Sequence, residues 1–189
     1  YLAEGHATLT NGHESIVFSF HSDEIDYVNE VQDLCKTLYD ASGSVRIDSD
    51  KHEARVLIYS KAAYHALTQH VGTGSATKKL SGDLLAQDDV FLRNLVDTYV
   101  AGDGNVTQRG GNHWHRAHTV SRTWALQLQA ILARLGHFAT VDLERPGGPG
   151  TILGRDVTRQ DLYRVQWTEV SEGGRRGPRQ VRDAGDYYL

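Results

Sequence analysis

Residues 95–104 read Leu95-Val96-Asp97-Thr98-Tyr99-Val100-Ala101-Gly102-Asp103-Gly104, and this stretch decides the fold. With the residues before it, it predicts a helix over about 88–103. Leu92, Val96 and Val100 line one apolar stripe, and Phe91, Leu95 and Tyr99 line the adjacent one. A helix apolar over so wide an arc belongs at the centre of a fold rather than on its surface. Its last turn carries the small residues Ala101 and Gly102, then an acid, and Gly104 fits the C-terminal stop. The chain opens on a shorter version of the same pattern, Tyr1-Leu2-Ala3-Glu4-Gly5, which reads as the last turn of a helix.

Working outward, the two segments head the same series of elements. After Gly5, Asn11-Gly12 signals a hairpin turn. Ile16, Phe18 and Phe20 then alternate with polar residues as in a half-buried strand. Ser22 or Asp23 is the expected cap of a helix whose inward positions are Ile25, Val28, Gln32, Cys35 and Leu38-Tyr39. Strands through Val45/Ile47 and Val56/Ile58 flank a turn at 49–51, a short helix follows at 61–71, and 72–79 is a polar connector. After Gly104 come strands at 105–109 and 114–120. A helix at about 121–135 has Trp124, Leu128, Ile131, Leu132 and Leu135 inward, and strands follow at 138–143 and 162–168. A Gly/Pro-rich loop is expected at 146–150. A shift of 99 residues lays Glu4-Gly5 on Asp103-Gly104 and Ser22 on Ser121. The fold class predicted is α+β, a tandem repeat of αββαββα units. The expected boundaries are 1–87 and 88–171, with a basic tail at 172–189.

Glu4 and Asp103 stand at equivalent places in the repeat. If the two leading helices pack side by side, both carboxylates emerge at the negative ends of two helix dipoles. That arrangement is electrostatically poor without a cation. Hard oxygen ligands suit Mg²⁺ (or Mn²⁺), and paired carboxylate–metal sites suit phosphodiester hydrolysis.

These residues resemble the two signature motifs of the LAGLIDADG (DOD-type) homing endonucleases, in particular the endonuclease domain found inside inteins. Phe18-Ser19-Phe20-His21-Ser22-Asp23-Glu24 and Ile131-Leu132-Ala133-Arg134-Leu135-Gly136 resemble that family's neighbouring blocks. Lys78-Lys79-Leu80 resembles its basic–basic–aliphatic element. The resemblance implies a pseudo-two-fold monomer whose two antiparallel four-stranded sheets form a saddle over double-stranded DNA. It implies an Mg²⁺-dependent enzyme that cuts both strands, with Glu4 and Asp103 as catalytic metal ligands and Lys78 as a catalytic residue that stabilises the developing charge or tunes the attacking water. It further implies a precursor in which the chain is fused to a splicing domain and a host protein. The alternative carried by the same resemblance is a DNA- or RNA-binding module of that fold without cleavage. The second half has no lysine, so a second basic catalytic group would be an arginine, Arg175, Arg176 or Arg179. Arg46, Arg55, Arg109, Arg116 and Arg164 on predicted strands, with Arg175 and Arg176, are the expected DNA contacts.

Composition bounds these readings. The chain has 189 residues, 39% hydrophobic and 23% charged, enough apolar surface for a core and too little polarity for disorder. Cys35, the single cysteine, excludes an internal disulfide framework, a four-cysteine zinc site and a CxxC redox pair. Net charge is −4, unlike a generic basic nucleic-acid binder. It is unevenly spread: residues 1–103 hold 8 Lys/Arg and 16 Asp/Glu, and residues 104–189 hold 12 and 8. His113, His115 and His118 invite a zinc reading, but strand alternation puts His118 opposite the other two and no cysteine or acid nearby completes a set. No apolar run is long enough for a membrane span. A cytoplasmic location is expected.

Overall fold

The computed structural model describes residues 1–10, 12–109, 111–152 and 154–170. The chain divides into two compact units, Tyr1–Ser81 and one that begins at Gly82. The tail, with Arg175, Arg176 and Arg179, lies outside the described residues. No described helix is long and apolar enough to cross a membrane.

In the first unit β1 (Gly5–Thr10) and β2 (His13–His21) form an antiparallel hairpin. Helix α1 (Ile25–Tyr39) leads to β3 (Gly43–Asp48), β4 (Glu53–Ile58) and helix α2 (Lys61–His70). The sheet order is β1-β2-β4-β3, all pairs antiparallel. Alternation along β2 and β4 sends Ile16, Phe18, Ala54, Val56 and Ile58 to the buried face, where Val28 and Cys35 of α1 and Ala63 of α2 join them. The seam of α1 runs through Val28, Gln32, Cys35 and Tyr39, close to one line along a 3.6-residue helix. Leu38 falls about 80° off that line and is 65% exposed, so the inward position expected for it is corrected; Ile25 is also exposed. The cap of α1 is corrected as well. Glu24 is the N-cap, with no side-chain bond into the helix. Its carboxylate accepts instead from the His21 amide at 2.7 Å, and the helix starts later than Ser22 or Asp23 would set it.

The second unit begins with a one-turn helix α3 (Gly82–Leu85) and α4 (Asp89–Asp103), whose N-cap Asp88 accepts from the Phe91 amide at 2.8 Å. Strands β5 (Gly104–Arg109) and β6 (Asn112–Thr119) follow, then α5 (Arg122–Arg134) and β7 (Ala139–Arg145). Two short strands, β8 (Gly148–Ile152) and β9 (Arg155–Arg159), precede β10 (Leu162–Val170). The main sheet is ordered β5-β6-β10-β7, again antiparallel. The loop expected at 146–150 therefore contains the first strand of a separate hairpin, β8–β9. Pro149 sits within β8, a position proline tolerates in a two-stranded ribbon because its missing N–H can face outward.

Helix α5 is the anchor of this unit. The fully buried Ser121 caps it through a bond from the Trp124 amide, 3.2 Å, and Trp124, Leu128, Ile131 and Leu132 are buried. Trp124 meets Tyr99 of α4 edge to face, 5.1 Å between centroids at 89°, a favoured aromatic geometry. On α4 the buried stripe is Leu92, Val96 and Tyr99, while Val90 is 69% and Phe91 36% exposed. The two units thus share α+β character and the same strand order along the chain.

Candidate functional site

The leading turn of the first unit passes abruptly into β1. The Gly5 amide donates to the Tyr1 carbonyl at 3.1 Å, and the Ser19 amide of β2 donates to the Glu4 carbonyl at the same distance. A Cβ at Gly5 would lie 2.6 Å from the Tyr1 ring and 2.8 Å from Tyr1 Cα. Gly104 faces the same constraint, with the Val100 carbonyl oxygen 2.5 Å from an added Cβ. The glycine of each acid–glycine pair therefore has a backbone cause: a helical turn runs straight into a strand, and a side chain at the step would collide with the turn.

Lys78 packs beneath the first of these turns. Its Nζ donates to the carbonyls of Leu2 at 2.7 Å, Tyr1 at 3.0 Å and Ala3 at 3.3 Å. It lies 5.5 Å from the centroid of the Tyr1 ring, in cation–π range. The Tyr1 hydroxyl donates to the Gly72 carbonyl at 2.8 Å, and burial pushes the phenol up to about 12. The connector that carries Lys78 is itself tied down: the Lys79 amide donates to Val71 and the Ser81 amide to His70. An ammonium buried to 6% exposure is thus compensated by the three carbonyls of the leading turn. Ala3, Glu4, Gly5, His6, Ser19, Thr73, Gly74, Ser75 and Lys78 line a cleft of about 420 Å³. The structure therefore brings Glu4 and Lys78 together. Asp103 belongs to the second unit, exposed at the end of α4. There burial raises the Tyr99 phenol and the nearby Asp103 charge adds to the shift, while the Tyr99 hydroxyl donates to the His118 carbonyl at 2.8 Å.

The arginines expected on strands are on strands. Arg46 and Arg55 are direct partners on β3 and β4. Arg55 Nε is 2.6 Å from Glu53 Oε1, and neighbouring Lys51 is 2.8 Å from Asp48, so Arg55 and Lys51 each sit against an acid. Arg116 is exposed on β6 opposite Gln166. Arg164, on the same face, pairs with Asp142 at 3.4 Å and Glu144 at 3.8 Å. Arg109 stands on β5 opposite Asn112.

Sequence reasoning missed one cluster. His115 Nε2 lies 3.4 Å from one oxygen of Glu169, and His137 Nε2 lies 3.5 Å from the other. His115 also stacks on Trp167, 5.0 Å between centroids at 14°. The His115 contact is the chief cause that holds the Glu169 carboxyl down to about 2; burial opposes it and the charges of both imidazoles assist. His118 points to the other face and contacts Glu144 at 2.8 Å, as strand alternation requires. No group of three or more His, Cys, Asp or Glu residues among those described is arranged to hold a metal ion.

No protein-family model matches the chain. Over 188 of its 189 residues it is 63% identical to proteins named iron–sulfur cluster assembly SufBD family protein in Mycobacterium bovis (strain ATCC BAA-935 / AF2122/97) and in two strains of Mycobacterium tuberculosis, CDC 1551 / Oshkosh and H37Rv. The chain spans 22% of the length of each of these relatives. Among solved structures it is similar to a complex of I-DmoI with DNA and calcium, at 12% identity and a TM-score of 0.60, covering 86% of this chain and 74% of that one. It is also similar to mesophilic variants of the homing endonuclease I-DmoI, at 11% identity and a TM-score of 0.58, covering 86% and 79%. Likeness at that identity establishes the α+β fold with two four-stranded antiparallel sheets and nothing about chemistry.

The relatives correct the reading drawn from the motifs. The names they carry are those of iron–sulfur assembly proteins and not of DNA endonucleases. The LAGLIDADG assignment, the Mg²⁺-dependent double-strand endonuclease, the intein origin, and the DNA, splicing-domain and host-protein partners are therefore all set aside. The physical reason is that short degenerate motifs record packing constraints, such as the glycine at a turn-to-strand step, as readily as catalysis. What the comparisons establish is a two-sheet α+β scaffold whose sequence relatives are bacterial proteins named for iron–sulfur cluster assembly, of which this chain matches about a fifth.

Proposed function

We propose that the chain is one segment of a longer cytoplasmic iron–sulfur cluster assembly protein of the SufBD type, in which it serves as an auxiliary module and not as the cluster-holding part. The observation that carries this reading is the 63% identity over the whole chain to proteins so named. The chemistry of the chain agrees with the division of labour. Clusters are held chiefly by cysteine thiolates, and Cys35, the one cysteine, is buried on α1 with burial raising its thiol. A buried thiol in apolar surroundings is a poor nucleophile and a poor ligand. Iron and sulfide, as the cargo, would meet their ligands elsewhere in the longer protein.

Two finer features belong to this reading. The shared strand order and the repeated acid–glycine step support two halves built on one plan, a pseudo-two-fold tandem repeat. Glu4 and Asp103, at the ends of their leading turns, are the carboxylates the chain would offer to hydrated Mg²⁺ or Mn²⁺, hard cations that take oxygen ligands and keep several waters.

Iron and acid-labile sulfide measured after anaerobic reconstitution test the proposal. The 189-residue chain alone should retain neither. In the longer protein, Cys35→Ser should leave cluster content unchanged. Stoichiometric iron and sulfide on the isolated chain, or loss of the cluster in the Cys35→Ser protein, would overturn it.

A further inference from the structure

We infer that the His115–Glu169–His137 cluster is an acid-sensitive latch that holds the second unit closed near neutral pH and loosens it under mild acid. The inference rests on geometry and is independent of the assembly role. The latch joins three elements: His115 comes from β6, His137 from the segment between α5 and β7, and Glu169 from the end of β10. His115 and His137 keep only 15% and 20% of their side-chain surface, and the carboxylate between them keeps 41%. One carboxylate compensates one imidazolium. When both rings carry a proton, the second positive charge sits in a half-buried place with no anion of its own, and like charges repel across Glu169.

The groups that face the latch do not remove this imbalance. From β6, His113 is the cross-strand partner of Glu169 and adds another titratable base. From α4, Arg93 and Asp97 act on His137 with opposite signs. From α5, Arg134 pairs with Asp89 at 2.9 Å and donates to the Leu85 carbonyl. The strands β7 and β5 present Ala139 and Val106 on this face, opposite Trp167 and His115. Burial holds the His137 imidazole below the ordinary histidine range, with Arg93 and His115 pushing the same way and Glu169 and Asp97 opposing. The sign follows. A histidine more easily protonated in the unfolded chain supports folding fully above its unfolded value near 6.5, and that support is lost as pH falls below it.

The test is amide hydrogen exchange on the 189-residue chain at pH 7.5 and 5.5, each rate divided by the intrinsic rate at that pH. Protection in β6, β7 and β10 should fall more than threefold on acidification, with about tenfold the ceiling for one histidine whose unfolded value lies near 6.5, and protection in β2 and β4 less than threefold. In His137→Gln the acid-induced loss in the second sheet should shrink to less than threefold. Equal losses in the two sheets, or an undiminished loss in the variant, would overturn the latch. Should the variant fail to fold, NMR titration of the wild-type His137 ring decides: a midpoint clearly below 6.5 supports the proposal, and one at or above 6.5 refutes it.

Discussion

Replacing Lys78 by Met tests whether the buried ammonium is what closes the first unit over its leading turn. Met preserves most of the apolar stem and removes only the charge and its N–H donors. Three carbonyl contacts at 2.7, 3.0 and 3.3 Å are lost at once. Hydrogen bonds from charged groups contribute roughly 1.5–3 kcal/mol each, but the three acceptors sit on one turn that water can reach from the cleft. The expected cost is therefore about 2–4 kcal/mol rather than the full sum. For a unit of 81 residues, each kcal/mol moves the midpoint by roughly 4–8 °C, so its melting temperature should fall by at least about 8 °C. The chain offers a built-in reference, because Trp114, Trp124 and Trp167 all lie in the second unit. Exchange protection in β1, β2 and β4 should collapse at temperatures where tryptophan fluorescence still reports a folded second unit. Lys79→Met, at the exposed neighbour, serves as the control and should stay within about 0.5 kcal/mol of the parent. If Lys78→Met also stays within that margin, the ammonium does not hold the turn.

Gly104→Ala should destabilise the second unit by about 2 kcal/mol or more, because the added Cβ falls 2.5 Å from the Val100 carbonyl oxygen and either the strand or the helix must shift; urea unfolding followed by tryptophan fluorescence measures it. Glu169→Gln should flatten the acid limb of stability. A carboxyl held down to about 2 from 4.5 stabilises the fold above 4.5, and that support fades as pH falls toward 2. Discounted for its solvent contact, the effect is about 1 kcal/mol, read as the difference between parent and variant in denaturant titrations at pH 5 and pH 3. Cys35 should resist a thiol-specific reagent at pH 8 in the folded chain and react fully in denaturant, since burial raises its thiol; comparable rates in the two states would contradict its placement.

Elements with complete local signals were legible in advance. Helix α5 has a serine cap, an unbroken apolar stripe and a terminating glycine, and its bounds and buried face agree with expectation. The start of α1 was not legible, because Ser22 and Asp23 have cap chemistry while the observed geometry depends on Glu24 turning back to the His21 amide. The β8–β9 ribbon reads as loop in the sequence, since glycine and proline are loop formers and a two-stranded ribbon leaves no buried alternation to betray it. Glu4 and Lys78 were singled out and do share one cleft, yet nothing in the sequence says that the lysine is spent on the carbonyls of residues 1–3. The motif resemblance pointed toward a nuclease, and relatives at 63% identity corrected it. Motifs shared across so wide a sequence distance report how the backbone is built, and function resides in the particular groups placed on it.

Taken alone, the order of residues settled the local geometry: helices where apolar residues recur every three to four positions, strands where they alternate, and glycine where a helical turn enters a strand. These are short-range steric and solvation effects, decided within a few residues. Only the folded chain decided which distant groups meet. It set the Lys78 ammonium under the first turn and clasped two histidines from separate elements around Glu169, because burial leaves a charge no stable place except beside whatever polar partner the packing supplies.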